Sequence, residues 1–289
     1  MQMHVVAGRW AVLTLAFAVA SGCGAERGEG SGVGGNGLGG SAGAGNSSPS
    51  VRGGRGGSAD FGIDFPDKLE GGGGNGGQET SDDCGQLVAI VRDMSDTHED
   101  FERGEYNLGL LQGLVKTSLD ADGKPAYAHN GATRITSQQT FSQWYRDIPG
   151  VNERFEVPLP LQQTSAGVFV YDNDSFFPLD DKGFGNQKRI HNYHFTTEIR
   201  GGFKYRGGEK FKFRGDDDVW VFVNGKLALD LGGVHGVETA TIDFDTRARD
   251  LGIEVGKTYT FDVFHAERHT KASNFRMETS IECLTVPVL

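Results

Sequence analysis

Residues 215–235 read GDDDVWVFVNGKLALDLGGVH, and this stretch decides how the chain folds. The pair Asn224-Gly225 separates two strand candidates, residues 219–224 and 226–231. A two-residue type I′ turn needs positive φ at both central positions, which Asn-Gly tolerates, so the stretch is read as a β-hairpin. In the first arm Val219, Val221 and Val223 alternate with Trp220 and Phe222. Apolar side chains on both faces describe a central strand, covered on both sides, whose ends are held rigidly.

At the mouth of that strand stand three consecutive acids, Asp216, Asp217 and Asp218. Like charges repel, and the repulsion grows where an apolar strand replaces water, so a counter-charge is required. An all-oxygen donor set without cysteines suits a hard cation, and Ca2+ accepts an irregular loop more readily than Mg2+. A solvated acidic turn is the bland alternative. The hairpin returns Asp230 toward the cluster, and Gly232-Gly233 before His235 permit close backbone approach. A later loop, residues 265–274, reaches the same edge. It offers Glu267, Ser273 and Asn274 as oxygen donors, with Arg268, His269 and Lys271 to pair with acids or touch a ligand. Trp220, at the strand start, is read either as a core residue or as a ring that contacts a ligand.

Working outward, short β segments fall at 87–92, 155–161, 168–171, 194–200, 210–214, 237–244, 258–264 and 275–282. Their spacing is that of an all-β sandwich. Residues 140–147 have helical spacing and stop at Pro149-Gly150, so one short helix is expected there, while 105–119 reads as a loop with a short helix or turn.

The amino end has a different character. An apolar run at 10–20 leads into Ala20-Ser21-Gly22-Cys23, too short to span a bilayer and followed by small residues, which is the pattern of an export signal over residues 1–22. The quartet resembles the bacterial lipobox, with Ala20 where leucine is usual. That resemblance implies acylation of Cys23 and a lipid anchor holding the protein at the cell envelope, surface-exposed. Residues 23–80 are dominated by glycine and serine and are expected to be a disordered tether. Cys84 and Cys283 remain, and in an oxidising compartment they are expected to pair as a disulfide bounding a domain at 84–283; two separate buried thiols are the alternative. The formal net charge of −11 argues against nucleic acid or an anionic lipid surface as partner.

Several motifs then occur in order: VRD at 91–93, HEDFE at 98–102, WYRDIPGVN at 144–152, FFPLD at 176–180, HNYHFT at 191–196, the 215–235 stretch, and AERHTKASNFR at 266–276. Together they resemble the fibro-slime domain family across 84–283. The core of that family is similar to the protective-antigen-type β-sandwich of flocculins, epithelial adhesins and some glycosidases. The resemblance implies a pair of adjacent aspartates joined by a cis peptide and holding Ca2+. It also implies an asparagine from a later loop and sugar hydroxyls completing the shell. Those positions fall on Asp216-Asp217 and Asn274, while Asp218 leaves open which adjacent pair ligates.

Other chemistries are weaker. His265 and His269 lack a glutamate directly after the first histidine, so a zinc-protease motif is absent. Asp172-Asn173-Asp174 and Asp180-Asp181 lack the EF-hand positions. Contiguous carboxylates are too close for glycosidase acid and nucleophile roles, and no catalytic triad stands out. The expected protein is therefore a non-catalytic, calcium-binding adhesion or carbohydrate-binding module with a glycan or polysaccharide partner. A structural envelope or matrix component is the alternative.

Overall fold

The computed structural model describes residues 84–102, 109–128 and 135–285. The chain divides into two units, Met1–Ala59 and Asp60–Leu289, and every described residue belongs to the second. The export signal, Cys23 and the 23–80 tether lie outside the described residues.

Eleven strands and two short helices follow one another: β1 (Gln86–Met94), α1 (Gln138–Ser142), β2 (Asn152–Pro160), β3 (Gln162–Ser165), β4 (Val168–Asn173), β5 (Phe195–Lys204), β6 (Lys210–Gly215), β7 (Asp218–Val223), β8 (Lys226–Leu231), β9 (Glu238–Asp243), α2 (Phe244–Leu251), β10 (Thr258–Glu267) and β11 (Phe275–Thr279). They form a six-stranded sheet of order β2-β1-β5-β10-β7-β8 and a five-stranded sheet of order β3-β4-β11-β6-β9. All strand pairings are antiparallel. Among the described residues no helix is long and apolar enough to cross a membrane.

The β7–β8 hairpin forms as its sequence demands, with Asn224 at φ 52° and Gly225 at φ 68°. Every residue of β7 is buried. Val219, Val221 and Val223 face the core between the sheets with Phe195, Phe211, Phe213, Phe261 and Phe275. Trp220 and Phe222 point the other way, into a second apolar layer with Phe264, Phe141, Trp144 and Tyr145. Each fully buried side chain of this size contributes roughly 1.5–3 kcal/mol, so a strand filling two layers anchors both.

That second layer comes from the segment between β1 and β2. Phe101, Leu114, Val115, Tyr127, Ile135, Phe141, Trp144 and Tyr145 spread over the outer face of the six-stranded sheet. The tail of the same segment runs beside β8, where Leu227 N–H donates to Thr117 O at 2.9 Å and Leu119 N–H to Gly225 O at 3.0 Å. An edge that would otherwise expose backbone donors is thereby covered.

Local details depart from the sequence reading. The helix expected at 140–147 lies earlier, because Ser137 and Thr140 form a reciprocal capping box that starts α1 at Gln138. The described part of 105–119 is a loop with a turn at residues 112 and 113, the turn rather than the helix of the two expected alternatives. Helix α2 was not expected, yet Asp243 accepts from Thr246 N–H at its start and Gly252, at φ 70°, ends it. The polar edge strand β3 was also not expected. Cys84 and Cys283 are disulfide-bonded with a Cα–Cα distance of 4.8 Å, closing the domain across 199 residues of sequence.

Candidate functional site: the acidic edge

Strand β6 ends at Gly215 in one sheet and β7 begins at Asp218 in the other, so Asp216 and Asp217 are the link that crosses between sheets. The crossing is tight. A Cβ at Gly215 would collide with the Asn274 carbonyl and the Phe213 ring. Asp217 takes up the turn with φ 24°, an unusual value for a residue with a side chain. No cis peptide occurs among the described residues. The Asp216–Asp217 bond is therefore trans, which corrects the cis bond that the family resemblance implied; the positive φ at Asp217 makes the reversal instead.

The later loop meets this link as expected. Asn274 donates twice to Asp216, from its backbone N–H to Oδ1 at 2.6 Å and from Nδ2 to Oδ2 at 2.8 Å. Arg268 N–H donates to Asp217 Oδ2 at 3.0 Å. The Arg268 side chain goes instead to Asp218, Nε to Oδ2 at 2.6 Å, while Asp218 Oδ1 accepts from Gly233 N–H at 2.6 Å. Both Asp218 oxygens thus have protein donors. Of the three consecutive acids, Asp216 and Asp217 are bonded by neutral groups and only Asp218 by a guanidinium.

Glu267 closes β10 opposite Phe195 and is buried beside the link. Neither its Oε2 nor the Ser273 Oγ has a hydrogen-bond partner of good geometry, although the Ser273 hydroxyl lies near enough to Glu267 to oppose the rise of its pKa. Burial pushes the Glu267 carboxyl well above the ordinary value, and the charges of Asp217 and Asp216 push it further. Burial likewise moves Asp217 up to about 7; Arg268 opposes this, while Asp218 and Asp216 add to it. A positive ion lodged among these groups would reverse both shifts and supply the missing partner. Among the described residues no three Asp, Glu, His or Cys side chains stand as a ready-made metal cage. A cation here would draw part of its shell from amide, hydroxyl or carbonyl oxygens, as Ca2+ accepts.

The remaining candidates have mixed positions. Trp220 is fully buried and its indole N–H donates to Asp230 Oδ1 at 3.0 Å, so it packs in the core and offers no ring face to a sugar. Asp230 also accepts from Gly232 N–H at 3.1 Å and Gly113 N–H at 2.8 Å, which fixes the hairpin exit rather than joining the acidic link. His235 is buried, with ring nitrogens 2.7 Å from Gly236 O and 3.1 Å from Leu231 O. Arg268 is buried with its guanidinium 4.9 Å from the Trp144 ring centroid, away from solvent. His269 is nearly buried, 4.0 Å from Glu102.

Sequence reasoning missed Glu102. It accepts from Thr270 Oγ1 at 3.1 Å and Thr270 N–H at 3.3 Å, and lies 2.8 Å from His194 Nε2. Although burial opposes it, the His194 bond and the His269 charge hold the Glu102 carboxyl below its ordinary value. The residue thus clamps the start of the ligand-donor loop from a distance of 168 positions in sequence. No local signal marks it.

A PA14 domain model matches residues 149–286. Among curated proteins, Dictyostelium discoideum protein psiQ is 41% identical over 217 residues, covering 70% of this chain and 21% of its own. Protein psiD of the same organism is 38% identical over 210 residues, covering 68% of this chain and 41% of its own. The chain thus spans between about a fifth and two fifths of these relatives. They are eukaryotic and lend no support to a bacterial lipoprotein. Among solved structures, the PA14 sugar-binding domain from an RTX adhesin aligns with TM-score 0.30 at 10% identity, covering 67% of this chain and 89% of that one. The epithelial adhesin 9 A domain of Candida glabrata, in complex with Galb1-4GlcNAc, aligns with TM-score 0.32 at 11% identity, covering 71% and 88%. No residue role is transferred from alignments this distant. The described residues form a two-sheet β-sandwich, and the part of the chain similar to the PA14 domain is residues 149–286.

Proposed function

We propose that this chain is a non-catalytic adhesion module of the fibro-slime kind that binds a glycan through a Ca2+ ion at the acidic edge. Asp216 and Asp217 hold the ion, with Asn274 and Glu267 beside them, and Asp218 serves as the structural partner of Arg268. The observation that supports this best is the pair of buried carboxylates at the link: burial raises the pKa of both Asp217 and Glu267, the Asp217 charge raises Glu267 further, and Glu267 Oε2 is buried without a hydrogen-bond partner. A divalent cation compensates both at once. The PA14 match makes a sugar the ligand to test, since the RTX adhesin PA14 domain is a sugar-binding domain and the epithelial adhesin 9 A domain was solved with Galb1-4GlcNAc. The module acts outside the cell, on an exported chain. The lipid anchor at Cys23 belongs to the same proposal, and labelling with a radioactive fatty acid, compared between the native chain and Cys23→Ser, tests it.

Calorimetric titration of calcium into the full chain, repeated on Asp216→Asn and Asp217→Asn, tests the metal site; undiminished binding in both variants would place the ion elsewhere. A glycan array run with and without chelator tests the ligand. A glycan signal lost on chelation supports the reading. No signal in either condition, with calcium still raising the melting temperature, supports instead a scaffold whose loops the cation merely stiffens.

A further inference from the structure

The segment joining β4 to β5 builds an aromatic cluster that none of the roles above uses. The rings of Phe177 and His191 are stacked, with centroids 4.0 Å apart and planes within 1° of parallel. Tyr193 meets them edge-on, at 5.0 Å from Phe177 and 5.9 Å from His191. The arrangement is fixed from below: His191 Nδ1 bonds Asp180 Oδ2 at 2.6 Å, and Asp180 Oδ1 accepts from Asn192 N–H at 2.7 Å. Tyr193 is buried, whereas Phe177 is half-buried and 37% of the His191 side chain stays exposed. A rigid stack that keeps aromatic surface open has lost its conformational freedom before any ligand arrives, which is the condition that favours binding.

Its position matters as much as its shape. Phe176 N–H donates to Ser273 O at 2.8 Å, so the segment is bonded to the donor loop beside Glu267. The Phe176 ring packs 4.7 Å from Phe275 and 6.2 Å from His265, at the same end of the sandwich. Phe195 stands opposite Glu267 in the β5–β10 ladder, and Tyr193 precedes it by two residues. The Tyr193 hydroxyl is raised by burial and then by the charges of Glu267 and Asp180, which agrees with that proximity.

We infer that the outer face of the Phe177–His191 stack, which Tyr193 backs edge-on, forms the stacking wall of the ligand subsite, against which the apolar C–H face of a pyranose ring packs while sugar hydroxyls reach the cation. Axial C–H groups carry slight positive charge and meet the negative face of an aromatic ring, and a ring wall with a few convergent polar groups is the common build of a small-ligand site. The inference rests on the glycan reading of the acidic edge and adds the residues that would select among sugars.

The test uses the full chain in saturating calcium, with a glycan array followed by calorimetry on the strongest ligand. Phe177→Leu keeps apolar volume and removes the ring, and is expected to weaken glycan binding about tenfold. Phe177→Tyr retains it. Calcium affinity and melting temperature stay at native values in both, which separates loss of the wall from loss of the metal site. His191→Ala gives an independent reading should Phe177→Leu fail to fold. Glycan binding at native strength in Phe177→Leu and His191→Ala overturns the wall alone. Absence of any glycan signal from the native chain overturns the wall and the glycan reading together.

Discussion

The guanidinium of Arg268 and the carboxylate of Asp218 meet at 2.6 Å with side-chain exposures of 2% and 0%. Around them the Arg268 Nη1 reaches Asp100 O at 3.3 Å and the guanidinium faces Trp144. The pair ties the donor loop to the second apolar layer. Removing one partner strands a buried charge, so Arg268→Met or Asp218→Asn should each cost about 3–5 kcal/mol in urea unfolding. The double variant should cost clearly less than the sum, because the stranded charge is gone.

Calcium should protect the fold through its ligands. At a free concentration of a hundred times the dissociation constant, binding to the native state alone adds about 2.7 kcal/mol. Thermal melts with calcium and with chelator should therefore separate for the native chain and coincide for Asp217→Asn. A persistent separation in that variant would count against Asp217 as a ligand.

Asp262 gives a pH test away from that edge. Burial raises its carboxyl from 3.8 to about 6, against the opposing charge of Arg200. The folded state thus prefers the protonated acid. Its contribution is full below the unfolded value and is lost as pH rises through about 6. Asp262→Asn mimics the protonated form, so its stability relative to the native chain should grow between pH 4 and 6 by up to roughly 2–3 kcal/mol, then level off. Urea melts across that range check it, and a difference independent of pH would contradict it.

Trp220 can be separated from ligand binding directly. Trp220→Phe removes the indole N–H that bonds Asp230, while Gly232 and Gly113 still donate to that carboxylate. With the cavity left by the smaller ring added to the lost bond to a carboxylate, the loss should be about 2–4 kcal/mol, with calcium and glycan titrations unchanged. A selective fall in glycan affinity would return Trp220 to the site.

The disulfide joins residues 199 apart. In the chain-entropy account a loop of this size stabilises by about 4–5 kcal/mol, an upper bound because native strain subtracts from it. Reduction, or Cys84→Ser with Cys283→Ser, should lower the melting temperature sharply while leaving the sheet signal in circular dichroism intact below it.

The hairpin was legible because its reasons are local: Asn224-Gly225 needs no distant partner to turn, and alternation from Val219 to Val223 names both faces at once. The meeting of Asp216 with Asn274 was legible from hairpin counting and from the family resemblance. Helix α2 went unread because its one buried stripe is only Phe244 and Leu251, although Asp243 and Gly252 mark its ends. The second apolar layer was hidden for another reason. Phe141, Trp144 and Tyr145 have helical spacing, but Phe101, Leu114, Val115 and Tyr127 come from turns and loops, and no period ties them to that short helix or to the sheet they cover. Arg268 reads as a surface charge in sequence, and only the facing Asp218 and Trp144 make its burial tolerable.

The bridge between Cys84 and Cys283 sets their Cα atoms 4.8 Å apart, at the two edges of the sandwich sequence. Tension applied to the polypeptide on either side of the module would enter and leave through that covalent link, bypassing the strand ladders. A module clasped in this way passes load without stretching, and the loops at its acidic edge keep their shape under pull until the bridge itself is reduced.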